Sequence, residues 1–343
     1  MEHDIKKLIV ILGPTASGKS DLAVEIALRL GSGQARKKYG INGAEIISAD
    51  SRQVYKGMDI GSGKITPDTK NSSNFSTGQA KKKYIFTHKG IPHYCIDVAS
   101  PKRRFTVAQY QKLAQKAIKS IWRQNKVPIL CGGTGLYIQS IVDDLVIPEV
   151  PPDAKLRAKL EKLSTDELFE KLKKLDPRRA ENIDRHNRRR LIRALEIVIK
   201  TGKPVPAPSF AEVCPRQNMP RTDLGKICIL QLGITKSKKE LKTKIKKRLL
   251  KRLRQGMVAE VKKLRSNGVP WKRLEEFGLE YRYIARYLQK KMTKQEMIEQ
   301  LEKEINQYAK RQMTWFKRDK RIHWIKNYKR AETLVKNFHK NHY

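Results

Sequence analysis

The sequence predicts an α/β fold: a parallel sheet flanked by helices, with an inserted all-helical subdomain and a helical C-terminal region. Three observations predict it. Apolar runs of strand length recur, each followed by an amphipathic helical stripe, and this alternation builds parallel sheets. A glycine-rich turn joins the first run to its helix. Residues 153–200 then interrupt the alternation, because they are helical and basic and contain no strand run.

The first strand is the unbroken apolar run Leu8-Ile9-Val10-Ile11-Leu12, suited to burial on both faces. It meets Gly13-Pro14-Thr15-Ala16-Ser17-Gly18-Lys19-Ser20, which fits the phosphate-loop pattern G-x-x-x-x-G-K-[ST]. Leu22, Ile26 and Leu30, beside Ala23 and Ala27, put one apolar face on the helix over 19–30. Converging backbone N–H groups and the positive end of that helix dipole form an oxyanion site. Lys19 then offers a point charge to a terminal phosphate, and the Ser20 hydroxyl is a candidate Mg²⁺ ligand. The expected architecture is therefore P-loop NTPase-like.

Residues 31–43, with four glycines and a basic cluster, read as a surface loop. Ala44-Glu45-Ile46-Ile47-Ser48 is a second strand that delivers Asp50-Ser51-Arg52-Gln53 to the carboxyl edge, where open α/β sheets bind ligands. Gly57-Met58-Asp59-Ile60-Gly61-Ser62-Gly63-Lys64 is another glycine-and-lysine cluster, but no apolar strand precedes it, so it is not counted as a nucleotide loop. The polar stretch 66–90 reads as a mobile insertion ending in a hairpin through Lys89-Gly90. His93 to Val98 resumes the sheet, and a helix over Thr106–Gln124 carries Val107, Tyr110, Ala114, Ala117, Ile118 and Ile121 on one stripe. Val127 to Cys131 forms the next strand, running into Gly132-Gly133-Thr134-Gly135-Leu136-Tyr137, a second candidate phosphate-facing edge.

Pro151-Pro152 opens the helical insertion. At its end Arg189, Arg190 and Arg193 share a helix face opposite Leu191, Leu195 and Val198. Such a face suits phosphates or a base edge, and equally a solvated surface. Thr201-Gly202-Lys203-Pro204 stops that helix, and Lys226 to Leu232 supplies another core strand. A long basic helix follows with Leu241, Ile245, Leu249, Leu253, Met257 and Val261 as its seam, and the C-terminal third continues helical. Trp315 and Phe316, among cations, fit either RNA stacking or core anchoring. The expected boundaries are 1–147 for the first part of the core, 148–204 for the insertion, and 205–343 for core completion, with a strand near 226–232, and the basic C-terminal region.

Composition narrows the class of function. With 75 Lys+Arg against 34 Asp+Glu, the 343-residue chain carries a formal +41. That field concentrates polyanions, so it favours nucleic acid over an anionic membrane, although a lysine-rich composition also serves solubility. Four cysteines without a CxxC pair and seven histidines offer neither a disulfide framework nor a zinc site. Met1 to Lys7 are charged and lead straight into the first strand, so neither a signal peptide nor a transmembrane helix is expected. The expectation is a cytoplasmic protein without a membrane partner.

Taken in order, GPTASGKS, ISADSRQVYKGMDIG, PHYCID, GGTGLY, RRLIRALEI and AKRQMTWF resemble the motifs of the bacterial tRNA dimethylallyltransferases over roughly Leu8 to Ile325. The resemblance implies transfer of a dimethylallyl group from dimethylallyl diphosphate to the exocyclic amine of the tRNA adenosine 3′ of the anticodon, with the phosphate loop gripping diphosphate rather than hydrolysing ATP. It implies Mg²⁺, the anticodon stem-loop as partner, and a monomer. It places Thr134 at the bridging oxygen, Asp50 as the base, and Asp50, Ser51, Arg52, Gln53, Thr134, Arg157, Arg189, Arg190, Leu191, Ile192 and Arg193 on the tRNA side. An apolar strand leading to Asp50 also suits a Mg²⁺ ligand, and Asp97 is the reserve for either role. Departures are Gly61-Ser62-Gly63-Lys64-Ile65 where the family has GTAKP, Arg189 where it often has Gln, and no C-terminal Cys/His finger of the eukaryotic kind. Competing readings are an isopentenyltransferase acting on free adenine nucleotides, a P-loop kinase or ATPase, and a non-catalytic RNA-binding module.

Overall fold

A computed structural model of the chain describes residues 6–68, 86–206, 221–222 and 224–340. It contains two compact units, Met1–Val142 with Val213–Tyr343, and Asp143–Glu212. Most of the expected insertion at 66–90, and Cys214, lie outside the described residues.

In the larger unit, β1 (Lys6–Leu12) precedes α1 (Lys19–Leu30). Leu8 to Leu12 are each at most 1% exposed, and burial of such a side chain contributes about 2 kcal/mol. The expected loop at 31–43 instead contains α2 (Gly33–Tyr39). The Ser32 hydroxyl accepts from the Ala35 N–H and caps it, and left-handed Gly40 ends it, so local capping outweighs the glycine content. β2 (Ala44–Ala49) is buried throughout. β3 (Phe86–His88) and β4 (Ile91–Tyr94) form the expected hairpin through Lys89 and Gly90. β4 ends at Tyr94 rather than near Val98, because Cys95 and Asp97 adopt φ of 61° and 55° and leave the sheet. α3 (Val107–Arg123) starts with a reciprocal Thr106–Gln109 cap. β5 (Val127–Gly132) and α4 (Gly135–Val142) follow.

The smaller unit is all helical among its described residues: α5 (Ala154–Leu160), α6 (Thr165–Leu175), α7 (Pro177–Asn182) and α8 (Arg188–Thr201). Leu160, Leu168, Leu172, Leu191, Leu195 and Val198 form its own core.

The chain then completes the larger unit with β6 (Arg221–Thr222), β7 (Gly225–Ile234), α9 (Lys238–Arg254), α10 (Met257–Ser266), α11 (Trp271–Phe277), α12 (Leu279–Leu288), α13 (Lys294–Phe316), β8 (His323–Ile325) and α14 (Tyr328–Lys340). The expected single basic helix is thus two, broken where Gly256 takes φ 96°. β8 was not expected, since three residues carry no readable periodicity.

Eight strands are present among the described residues, in the order β3-β4-β2-β5-β1-β7-β6 with β8 on β7. Neighbours from β4 to β8 run parallel, and β3 and β6 pair antiparallel. Alternation along β1 sends Leu8, Val10 and Leu12 to a core shared with α3, α4 and the C-terminal helices, and Ile9 and Ile11 to one shared with α1 and α14. Register sets the site: Leu12 and Ala49 both pair with Gly132, so the chain leaves β1, β2 and β5 at one level of the carboxyl edge.

Candidate active site

The phosphate loop emerges first at this edge. Gly18 caps α1 with φ 93°, a conformation that favours glycine. Lys19, half-buried, donates from Nζ to the Pro14 carbonyl at 3.3 Å. Burial lowers its pKa, Arg248 and Arg252 push the same way, and Cys131 and Asp50 oppose them. Burial holds the Cys131 thiol up at about 12, so that thiol is neutral near pH 7 and the opposing charge there is Asp50. Ser17 lies within the loop, and its buried hydroxyl has no partner among the described residues.

The β2 edge supplies the carboxylate. Asp50 Oδ1 accepts the backbone N–H groups of Arg52 at 2.8 Å and Gln53 at 3.3 Å, an Asx turn that fixes the side chain. Its Oδ2 has no partner among the described residues. Thr134, on the β5 side, donates its N–H to the Ala49 carbonyl at 3.1 Å and accepts the Ser51 N–H on Oγ1 at 3.0 Å. Its hydroxyl proton faces Ser51 Oγ at a long 3.4 Å and so stays available to another acceptor.

Distant segments complete the arrangement. Gln312 of α13 accepts the Thr15 N–H on Oε1 at 2.8 Å and donates from Nε2 to the Gly133 carbonyl at 2.8 Å, tying the phosphate loop to the β5 edge. Arg252 of α9 is buried, with Nη1 donating at 3.2 Å to both the Gly61 carbonyl and Glu280 Oε1. Arg248, one turn earlier, is pushed down to about 10 by burial and by Arg252, against Glu280, Asp50 and Asp21. Arg52 donates to the Phe277 carbonyl at 3.0 Å and lies 5.7 Å from the Tyr308 ring centre. Gln53 accepts from Ser48 and donates to the Gly63 carbonyl. Lys19, Arg248 and Arg252 thus gather beside a loop built for oxyanions, with the carboxylates of Asp50 and Glu280 among them.

Comparison with known proteins bears on this geometry. The family model described as IPP transferase matches residues 53–319. The chain belongs to the IPP transferase family. It is 37% identical over 324 residues to tRNA dimethylallyltransferase 1 of Geotalea uraniireducens, covering 93% of this chain and 92% of that relative. It is 38% identical over 336 residues to tRNA dimethylallyltransferase of Acetivibrio thermocellus, covering 96% and 95%. The crystal structure of the full-length tRNA isopentenylpyrophosphate transferase of Bacillus halodurans matches with TM-score 0.64 and 29% identity, over 98% of this chain and 97% of that one. A eukaryotic dimethylallyltransferase acting on tRNA matches with TM-score 0.66 and 25% identity, over 97% and 77%.

Within this IPP transferase, the residues read from sequence separate into two groups. Gly13 to Ser20, Asp50 to Gln53 and Thr134 share the larger unit's sheet edge. Arg157, Arg189, Arg190, Leu191, Ile192 and Arg193 belong to the smaller unit. There Leu191 and Ile192 are at most 8% exposed and pack in the core, so their side chains are withdrawn as tRNA contacts. Arg157 and Arg193 both grip the fully buried Glu196, at 2.7 and 2.6 Å. Arg189 and Arg190 are exposed. Asp97, the reserve candidate, bonds the Lys64 ammonium through Oδ1, and burial raises its pKa against that contact. Phe316 is a core anchor, and Trp315 packs partly buried against the same core cluster. Sequence reading missed Gln312, Arg248 and Arg252. Of these only Gln312 lay in a quoted motif.

Proposed function

We propose that this chain transfers the dimethylallyl group of dimethylallyl diphosphate to the exocyclic amine of the adenosine 3′ of a tRNA anticodon, releasing diphosphate. The observation that carries the reading is the common sheet edge, where the phosphate loop, Asp50 and Thr134 leave three adjoining strands at one level. The relatives named tRNA dimethylallyltransferase support it, and the +41 charge fits a polyanionic substrate.

Breaking the allylic carbon–oxygen bond leaves its electron pair on diphosphate, so catalysis is chiefly stabilisation of growing negative charge. The loop N–H groups, the amino end of α1, Lys19 and Arg248 complement that charge. The Thr134 hydroxyl donates toward the bridging oxygen. As the amine nitrogen bonds to the allylic carbon, Asp50 Oδ2 takes its proton; Oδ1 is already committed to the turn. A stacked adenine does not reach such a site, so the base is extruded from the anticodon loop. Arg189 and Arg190 are our remaining candidates in the helical unit for RNA phosphates.

No group of three or more His, Cys, Asp or Glu among the described residues is placed to hold a metal. The Ser20 hydroxyl, a hard oxygen donor, would hold a hard divalent cation, and we propose Mg²⁺ on that chemistry. When bound it supplies neutralisation of diphosphate charge.

Incubation with dimethylallyl diphosphate and an anticodon stem-loop, followed by nucleoside mass spectrometry, tests the reading. A single dimethylallyl adduct on that adenosine is expected. Faster prenylation of AMP, or turnover of ATP without adduct, overturns it.

A further inference from the structure

The second glycine-and-lysine cluster, Gly57 to Lys64, has no part in the function described so far. Its backbone is nonetheless an anion site. The successive N–H groups of Asp59, Ile60 and Gly61 converge as a nest, and the anion they hold is the chain's own Glu260, from the first turn of α10. The distances are 2.8 and 2.6 Å to Oε2 and 3.0 Å to Oε1, and the fully buried Tyr281 donates its hydroxyl to Oε1 at 3.0 Å. Four donors consume this carboxylate, so it has no capacity left for substrate.

We propose that Glu260 is a positioning residue for the diphosphate site, acting through the 59–63 backbone on Arg248 and Arg252. The nest holds Gly61, whose carbonyl anchors Arg252 Nη1 at 3.2 Å. Two residues on, Gly63 takes φ 65°, and a Cβ there would collide with the Nη2 atoms of both Arg252 and Arg248. The two guanidinium groups therefore lie directly against this turn. Like charges held side by side separate unless fixed from outside, and the fixed points for Arg252 are the Gly61 carbonyl and Glu280. The Gly63 carbonyl accepts from Gln53 Nε2, and the Gln53 N–H donates to Asp50 Oδ1, so this turn and its two arginines adjoin the sheet edge that carries the phosphate loop; both arginines also act electrostatically on Lys19. The inference rests on the diphosphate reading above.

Binding of inorganic diphosphate to the full chain, measured by calorimetry, tests it. In Glu260→Gln one acceptor oxygen becomes an NH₂ that faces the nest donors, and we expect diphosphate affinity and kcat/KM for dimethylallyl diphosphate to fall about tenfold or more. Affinity for the anticodon stem-loop stays within about twofold. Glu260→Asp keeps the charge one methylene short and recovers part of the loss, and it decides the matter if Glu260→Gln does not fold. Gly63→Ala, which displaces the same guanidinium groups with Glu260 intact, weakens diphosphate binding as well. Folded Glu260 variants that bind diphosphate as the unmodified chain does overturn the proposal. An unmodified chain that binds diphosphate but prenylates no RNA overturns the functional reading instead, and the diphosphate comparison still decides the role of Glu260.

Discussion

Asp50 shows how one side chain divides its work between two oxygens. Oδ1 accepts two backbone N–H groups and builds the turn, while Oδ2 is the oxygen we propose as the base. Asp50→Asn separates these roles, because an amide oxygen still accepts both N–H groups but the remaining NH₂ takes no proton. Turnover is expected to fall by about 10²-fold or more, with stem-loop affinity unchanged in a binding titration. If Asp50 instead ligates the metal, the variant raises the Mg²⁺ concentration needed for half-maximal rate, and a metal titration of the same protein separates the two. The place of Asp50 at the carboxyl edge was readable from sequence because the apolar strand β2 leads straight to it. Arg248, Arg252 and Glu260 were not, since each acts on a turn about 190 residues or more distant and sits in a helix whose composition resembles any solvated basic surface.

At the scale of the element, α8 illustrates how a correct pattern misleads about contact. Its apolar face is buried as the spacing requires, but the basic face is not uniformly available. Burial would raise the pKa of Glu196; the Arg157 guanidinium, the Asp153 N–H and Arg193 outweigh it and hold the carboxyl down at about 2. Arg157 thus bridges α5 and α8 inside the helical unit. Removing it leaves a buried carboxylate with reduced compensation, so Arg157→Ala is expected to destabilise the protein by about 3 kcal/mol in urea titration. A purely RNA-contacting arginine predicts the opposite pair of results, unchanged stability and weakened stem-loop binding. Elsewhere α1 and α3 were readable because a buried face repeats over several turns, and β1 and β5 because an unbroken apolar run marks burial on both faces. The short α2 and β8 were not, since local caps at its two ends make the first and pairing with β7 makes the second.

For the whole molecule, the question is which groups make stability depend on pH. Burial lowers the pKa of both His93 and His339 to about 4, with His88 assisting at the first and Lys7 at the second, while the Ile91 carbonyl and Asp68 oppose the shift at His93. Each imidazole is neutral when folded and has an ordinary pKa near 6.5 when unfolded. The unfolded chain therefore binds more protons between those values. Stability is complete above pH 6.5 and falls as pH drops toward 4, by about 3 kcal/mol per histidine. A typical domain has only about 5–15 kcal/mol in total, so the loss is large, and the chain's +41 charge adds self-repulsion in the same direction. His339 also buries an Nε2 without a partner among the described residues, and its ring contacts those of Tyr39 and Phe338. Phenylalanine fits those ring contacts and takes no proton. His339→Phe is thus expected to raise stability by about 1 kcal/mol at pH 7.5 and to remove about half of the loss between pH 6.5 and 4, read from urea midpoints across that range. Equal slopes for the two proteins would place the acid sensitivity elsewhere, in His93 and the net charge.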